Sequence, residues 1–523
     1  MPPEPQPGGV LKAAPSAQPL RLPGPAALWL LATAWFALNA ASQRLFSLTA
    51  ETDQAAELVR SQLWQWGYGS QPPLYTWLAK LLLDLTGPAL WPLLALKVTI
   101  LSALVASLVQ IGRVLRFSPA QHCITVAGIA LIPQFAWESQ RDLTHSVLAT
   151  LLASLTLLQL LRLQTRPTAG NYALAGVLSA GGMLSKYTFG VFLLAAVLAG
   201  LSLPAFRRRL LNARILIALA IVAGLLAPHL LWALGQPDLA LGGLDKLQAE
   251  ATFPIAQLRG LGSAAWTAIA FITPLWIVGL MLVANRLQPP GNPGQRLLCR
   301  LPLAIAVVLT VVILVTGATR IKDRWYQNLL FYAPALLAVL SGPSPPPRRL
   351  RVYLQSAGLA AAVVSVALPA RIPLAGTLGR TSALNAPVVE LLGQIRERKD
   401  APILVIASDS FVGGNARRVF PDVPVLPVGA TALVQSLLRE RDGLVLLLAS
   451  AETKEGRGVA GLLEGLAAAG LQGPDPGDFT PVSAPARWAP RERFTLFVQT
   501  LPASALVADR LPGAQASGGD PAR

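Results

Sequence analysis

AALWLLATAWFALNAASQRLFSLTAETDQ, residues 26–54, carries no charge until Arg44 and then turns acidic at Glu51 and Asp53. Its first part is long and apolar enough to cross about 30 Å of hydrocarbon as a helix. Working outward, similar apolar stretches follow at about 90–111, 119–137, 143–162, 171–186, 188–205, 214–234, 262–285, 300–318, 328–341 and 352–370, separated by short Arg-rich or Pro/Gly-rich breaks. With the first run they make about eleven helices. The 523 residues are 53% hydrophobic and 13% charged, about half the roughly 25% charged share of soluble domains. Mean hydropathy is +0.52. A soluble single-domain protein is excluded, and the expected fold is a polytopic α-helical membrane protein.

The chain has 43 Lys+Arg against 26 Asp+Glu, a net charge of +17. The basic residues sit mostly at the ends of apolar runs, so membrane orientation explains them better than nucleic acid, which is not expected as a partner. Arg113 and Arg116, Arg162 and Arg166, Arg207 to Arg209 with Arg214, Arg286 with Arg296 and Arg300, and Arg348, Arg349 and Arg351 occupy alternate breaks, expected to be cytoplasmic. The intervening breaks hold Glu51 to Asp84, Trp137 to Asp142, the neighbourhood of Lys186, Gly235 to Gly260, and Thr319 to Asn328. These are expected outside, and an odd helix count takes the C-terminus there too. Residues 1–25, rich in Pro, Gly and Ala, read as a disordered cytoplasmic tail without a cleaved signal peptide. Cys123 and Cys299 begin separate spans, so no disulfide framework or CxxC metal site is expected.

After about residue 371 the pattern becomes that of a soluble unit. Short apolar runs at 402–407, 423–428, 443–450 and 493–499 alternate with helix-like stretches at 385–398 and 456–469. The expectation is a small α/β domain over 371–523, after a transmembrane part over 26–370. Gly413-Gly414 follows a strand without a GxGxxG or GxxxxGK[ST] pattern, which favours a turn over a phosphate loop.

The first outer loop combines carboxylates with aromatics. Trp64, Trp66, Tyr68, Tyr75 and Trp77 suit interfacial helices at headgroup depth. Glu51, Asp53 and Glu57 directly after a membrane helix admit two readings: ordinary helix-start acids, or carboxylates with a function.

Three segments resemble the GT-C superfamily of polyprenyl-phosphate-sugar-dependent glycosyltransferases, in the bacterial family 39 branch related to protein mannosyltransferases and the lipid A aminoarabinose transferase. They are ETDQ with Asp53, PPLYTWL at 72–78, and LSKYT at 184–188; IKDRWY at 321–326 is similar to an outer-loop basic motif of many bacterial members. Together they run through about residues 26–340. The resemblance implies a GT-C-like catalytic part and Asp53 as the catalytic carboxylate, acting on a polyprenyl-phosphate sugar with inversion at the anomeric carbon. Two positions depart from the family: its acidic pair is here Asp53-Gln54, and Gln71 stands where a basic residue often precedes the two prolines. Gln71 and Tyr75 are retained as substrate-binding candidates.

In the second loop, WESQRDLTHSV at 137–147, Glu138, Asp142 and His145 are spaced to share one helical face. That spacing suits a divalent cation, the one cofactor the sequence suggests, or hydrogen-bonded structural groups. The resemblance gives Asp142 a part in ordering acceptor or donor sugar. Lys186 lies in an apolar block, where it either snorkels or meets a phosphodiester. Arg320, Lys322 and Arg324 fall on the side expected to be poor in cations, which suits phosphate binding with Trp325 and Tyr326 packing on prenyl chain or sugar, or contact with lipid headgroups or Asp323.

The expected activity is transfer of a sugar to a lipid, envelope glycan or protein acceptor on the periplasmic face of a bacterial inner membrane. A transporter or flippase of lipid-linked saccharides shares the helix count. Such proteins often show repeated halves and polar residues within their spans; here no internal repeat is evident, and the distinctive polar residues collect in outer loops. A scaffolding protein would not need those carboxylates and cations.

Overall fold

The computed structural model describes residues 21–142, 144–242, 253–283, 287–398, 400–440, 442–451 and 458–507. Residues 1–20 of the expected tail and 508–523 of the expected C-terminal domain lie outside them. Among the described residues, seven helices are long and apolar enough to cross a membrane: Pro25–Arg44 (α1), Leu90–Val114, His145–Thr165, Ile215–Gly235, Ile255–Val283, Pro293–Thr316 and Pro347–Ala370. Proline suits the first turn of a helix because the missing N–H has no intrahelical partner there. Pro25, Pro293 and Pro347 mark three such starts.

The other four expected spans are helical but short or broken. The segment 119–137 divides into Pro119–Ala127, a 3-10 turn at Gly128–Leu131 and a π-turn at Gln134–Glu138, around Pro133. Ala169–Ser185 has 17 residues. Phe189–Leu201 bends by 118° into Pro204–Leu210, and counting that pair as one span gives eight. The segment 328–341 becomes Asp323–Leu330 and Ala333–Ser341, the second almost wholly buried in the bundle. A break in the helical ladder is tolerated at membrane depth where surrounding protein satisfies the freed groups. Length and apolarity in sequence therefore gave eleven candidates, of which seven are long unbroken helices.

Two short helices follow α1: Thr52–Arg60 (α2) and Leu74–Thr86 (α3), before Leu90–Val114 (α4). α2 begins with a capping box, the Glu51 side chain accepting from the Gln54 backbone and Gln54 accepting from the Glu51 N–H. Trp64 and Trp66 are exposed, but Tyr68 and Tyr75 are buried. Tyr75 therefore belongs to the protein core and not to the headgroup layer.

The chain after Ala383 builds a five-stranded sheet in the order β2-β1-β3-β5-β4. β1 (Leu404–Ala407) is parallel to β2 (Val425–Pro427) and β3 (Leu444–Ser450), and β5 (Ala489–Pro502) is antiparallel to β3 and β4 (Thr480–Ala486). All four residues of β1 are buried, as expected for a strand covered on both faces. Val388–Arg398 and Ser410–Val419 pack on one face, Thr431–Glu440 and Gly458–Ala468 on the other. Gly413 and Gly414 lie inside Ser410–Val419, so neither the turn nor the phosphate loop is present there. The reason is packing: a Cβ on Gly414 would sit 2.1 Å from the Ala55 carbonyl oxygen of α2.

That contact belongs to a seam joining the sheet unit to α2. The Asn415 side-chain oxygen accepts from the Ala50 N–H at 2.9 Å. The Gln62 amide donates to the Val425 carbonyl at 2.6 Å and accepts from the Val425 N–H at 3.0 Å, completing the edge of β2. Arg371 pairs with Glu51 at 2.7 Å. Helix α2 is thus held between the helical bundle and the sheet unit.

Candidate active site

α2 turns Asp53 toward a cavity of about 430 Å³, lined also by Arg60, Gln71, His145, Lys186, Arg320, Lys322, Arg324 and Trp325. Residues from five separated stretches of chain meet here. The capping box sets the start of α2 and hence the direction of Asp53. Lys186 lies just beyond Ala169–Ser185 and donates to the Ser146 hydroxyl at 2.5 Å. The extended strap 320–322 between Pro293–Thr316 and Asp323–Leu330 carries Arg320 and Lys322, with Arg324 in the first turn after it. The cavity walls also include Val191, Val312 and Ala240, so cations and an apolar surface occur together.

The strap faces a second, more open cavity of about 660 Å³, where Arg320, Lys322 and Arg324 are joined by Gln134, Glu138, Trp266 and Asp323. Gln134 donates to Asp323 at 2.6 Å, and Glu138 pairs with Arg141 at 3.2 Å. Tyr326 is buried, its hydroxyl donating to the Ala264 carbonyl at 2.7 Å; Trp325, not Tyr326, lines the first cavity. A third hollow, of about 230 Å³, lies in the sheet unit beside Asp400, Phe420 and Thr500, away from these carboxylates.

Glu138, Asp142 and His145 do not share a helical face. The helix breaks at Asp142, whose φ of −136° and ψ of −106° are not helical, so His145 starts a new helix and Glu138 turns to the second cavity. Among the described residues no group of three or more His, Cys, Asp and Glu side chains is placed to hold a metal ion. His145 instead pairs with Glu57 at 3.0 Å, and the Tyr75 ring packs against the imidazole at 5.3 Å between centroids. Glu57 is fully buried and accepts also from Thr76 at 2.7 Å and Arg60 at 3.0 Å. Burial opposes its charge, but the neighbouring His145, with the hydrogen bond between them, then Arg60 and Thr76, outweigh burial and hold the carboxyl at about 2.

Asp142 stands behind Asp53. Its Oδ2 accepts from the Asp53 N–H at 3.2 Å, and its Oδ1 is buried with no protein partner among the described residues. Burial, then the Asp53 carboxylate and Glu51, push the Asp142 carboxyl well above the ordinary carboxylate range, against the pull of Lys97. Lys97, in the second turn of α4, is buried, and its Nζ donates to the Asp142 carbonyl. Sequence reading missed Lys97. Its signal was a lone cation within an apolar span, where an ionisable residue is rare unless it has a partner or a task. Chemically, the arrangement offers a partly exposed carboxylate able to accept a proton, next to cations able to hold an anion.

Residues 70–232 match a family model described as dolichyl-phosphate-mannose-protein mannosyltransferase. The lipopolysaccharide core galacturonosyltransferase RgtA of Rhizobium johnstonii (strain DSM 114642 / LMG 32736 / 3841) is 31% identical over 410 residues, covering 76% of this chain and 81% of that protein. RgtB of the same strain, also a lipopolysaccharide core galacturonosyltransferase, is 29% identical over 429 residues, 80% of this chain and 87% of that one. Among solved structures, ArnT from Cupriavidus metallidurans bound to undecaprenyl phosphate aligns with 90% of this chain and 97% of its own, at 12% identity and a TM-score of 0.47. The arabinofuranosyltransferase AftD from Mycobacteria aligns with 89% of this chain and 38% of its own, at 15% identity and the same TM-score.

Proposed function

Because the chain belongs to the GT-C superfamily of membrane glycosyltransferases, we propose that it transfers a sugar from a polyprenyl-phosphate donor to an envelope saccharide on the periplasmic face of a bacterial inner membrane. The observation that carries this reading is the cavity in which Asp53 meets Lys186, Arg320, Lys322 and Arg324 beside an apolar wall. A phosphodiester on a prenyl chain needs both surfaces, because cations pair with phosphate oxygens while apolar side chains take the hydrocarbon. The family model's dolichyl-phosphate-mannose description and the family resemblance of ETDQ and LSKYT support the same donor class.

In the proposed reaction the acceptor hydroxyl oxygen attacks the anomeric carbon while the bond from that carbon to the phosphate oxygen breaks. The electron pair leaves with the polyprenyl phosphate, the hydroxyl proton passes to Asp53, and the anomeric configuration inverts. Lys186 and the strap cations hold the phosphate as its charge grows. Asp142 orders the site from behind, and Gln71 contributes a neutral hydrogen-bonding group.

A finer reading names the sugar as a hexuronate. Five basic side chains and one carboxylate line the cavity, an excess suited to a donor bearing a sugar carboxylate as well as a phosphate. The galacturonosyl specificity of RgtA and RgtB supports it. The test is transfer by purified protein in nanodiscs, comparing polyprenyl-phosphate galacturonate with the neutral galactose donor. Turnover with the first is expected to fall about 100- to 10,000-fold in Asp53→Asn, the usual weight of a general base, with donor binding retained. Wild-type turnover in that variant would remove Asp53 from the role; equal use of both donors would remove the hexuronate.

A further inference from the structure

We infer that Lys97 is a positioning residue for catalysis, the buried counter-charge that holds Asp142 against the first turn of α2 and, through Asp142, sets the acid limb of turnover. The inference rests on the reading of Asp53 as the base.

Lys97 sits inside a membrane span, yet its ammonium does not reach toward water. It is buried, and its Nζ donates to the main-chain carbonyl of Asp142 at the helix break between Ser139–Arg141 and His145–Thr165. An ammonium removed from water costs several kcal/mol unless it is paired and hydrogen-bonded. Here the compensating charges come from three carboxylates: Asp142 from the second loop, Asp53 from α2 and Glu51 from its cap; Arg44, at the end of α1, is the cation that opposes them. Glu51 is already paired with Arg371. Lys97 is thus left as the cation placed to offset the Asp53–Asp142 pair from the membrane side.

The contact fixes position and charge together. The carbonyl that Lys97 holds belongs to the residue whose Oδ2 receives the Asp53 N–H, so the ammonium, the Asp142 loop and the first turn of α2 form one connected chain. Asp142 Oδ1 has no protein partner among the described residues, leaving a site for a proton on that carboxyl. Burial, then the Asp53 and Glu51 carboxylates, disfavour the ionised form of Asp142, and the nearby Lys97 cation favours it. Removing that cation moves the ionisation of Asp142 to higher pH, so the acid limb of turnover follows it upward.

The experiment measures the pH profile of turnover in nanodiscs for the parent, Lys97→Gln, Lys97→Arg and Lys97→Gln with Asp142→Asn. Glutamine retains an N–H donor for the Asp142 carbonyl and loses the charge, which separates electrostatics from the hydrogen bond and limits disruption of the bundle. The acid limb in Lys97→Gln is expected to rise by about 1 pH unit or more. Lys97→Arg should keep the parental limb, and in the Asp142→Asn background Lys97→Gln should shift the limb markedly less than it does in the parent. A parental limb in Lys97→Gln, or a fall in turnover without a shift, overturns the inference. A shift undiminished by Asp142→Asn also overturns it. Asp53→Asn measured alongside separates the two readings. Retained turnover there defeats the base assignment; lost turnover there with an unmoved Lys97→Gln limb defeats Lys97 alone.

Discussion

A phosphodiester has one negative charge and two free oxygens, so one guanidinium and one further cation satisfy it. In the proposed site Arg324 takes the bidentate part, because, of the cations lining both cavities, it is the guanidinium next to Trp325, which lines the first. Its main-chain carbonyl also meets Lys186 Nζ at 3.5 Å, tying the strap to the helix end that carries Lys186. Charge-assisted hydrogen bonds contribute roughly 1.5 to 3 kcal/mol, so Arg324→Ala is expected to weaken donor binding about 10- to 150-fold. The check is titration of lipid-phosphate sugar into detergent-solubilised variant without acceptor. Lys80→Ala is the reference, since Lys80 pairs with Asp84 outside the cavity. Equal affinities in the two variants would move the phosphate elsewhere. Most of these residues were legible in sequence because they sit where an apolar run ends and a charge needs a reason. Lys97 was not, since its partners lie in other segments. The face of Glu138, Asp142 and His145 was misread because spacing alone does not reveal a helix break at Asp142.

At the scale of elements, α2 is the piece whose placement matters most, and its neighbours hold it from two sides. From the bundle, His145 and Thr76 anchor Glu57. From the sheet unit, Gly414 lets Ser410–Val419 approach the α2 backbone more closely than any Cβ permits. Gly414→Val therefore must push α2, and with it Asp53, away from the cavity. Displacement of a reacting group by about 1 Å can cost about 100-fold, so turnover is expected to fall at least tenfold. Gly393→Ala, on the open side of Val388–Arg398 where a Cβ meets nothing within 4 Å, should keep parental turnover. Parental turnover in Gly414→Val would detach the sheet unit from the chemistry. The strands β1, β2, β3 and β5 were readable as apolar runs between turn residues. β4, TPVSAPA, was not, because its prolines and small residues read as loop until β5 pairs with it. Ser410–Val419 was hidden by its two glycines, which read as a breaker when α2 is not in view.

For the whole molecule, the seam between α2 and the sheet unit constrains how often the chain crosses the membrane. α1 ends at Arg44, whose guanidinium donates to the Thr49 carbonyl just before the Glu51 cap of α2, and Pro347–Ala370 ends beside Arg371, which pairs with Glu51. Both helices thus emerge on one face, and between the start of α1 and the end of Pro347–Ala370 the chain crosses an odd number of times. Eleven crossings made with the short and broken helices satisfy this; the seven long helices alone do not, because Arg113 and Arg162 both lie at the far ends of helices from His145 and Lys186, so 119–138 and Ala169–Ser185 must carry the chain back. Lys186, Arg320 and His145 line the cavity on that face, whereas Arg113, Arg162 and Arg207 to Arg209 lie at the opposite helix ends. Positive charge is retained on the cytoplasmic side, so the Asp53 face is expected to be periplasmic and the N-terminus cytoplasmic. A phosphatase fused after Arg523 should be active, and a fluorescent reporter fused before Met1 should fold and fluoresce in the cytoplasm. The seam makes this test stricter than a helix count. An inactive phosphatase would move the sheet unit and Asp53 to the cytoplasm together, because Gln62, Asn415 and Arg371 join them, and periplasmic transfer would have to be abandoned with the topology.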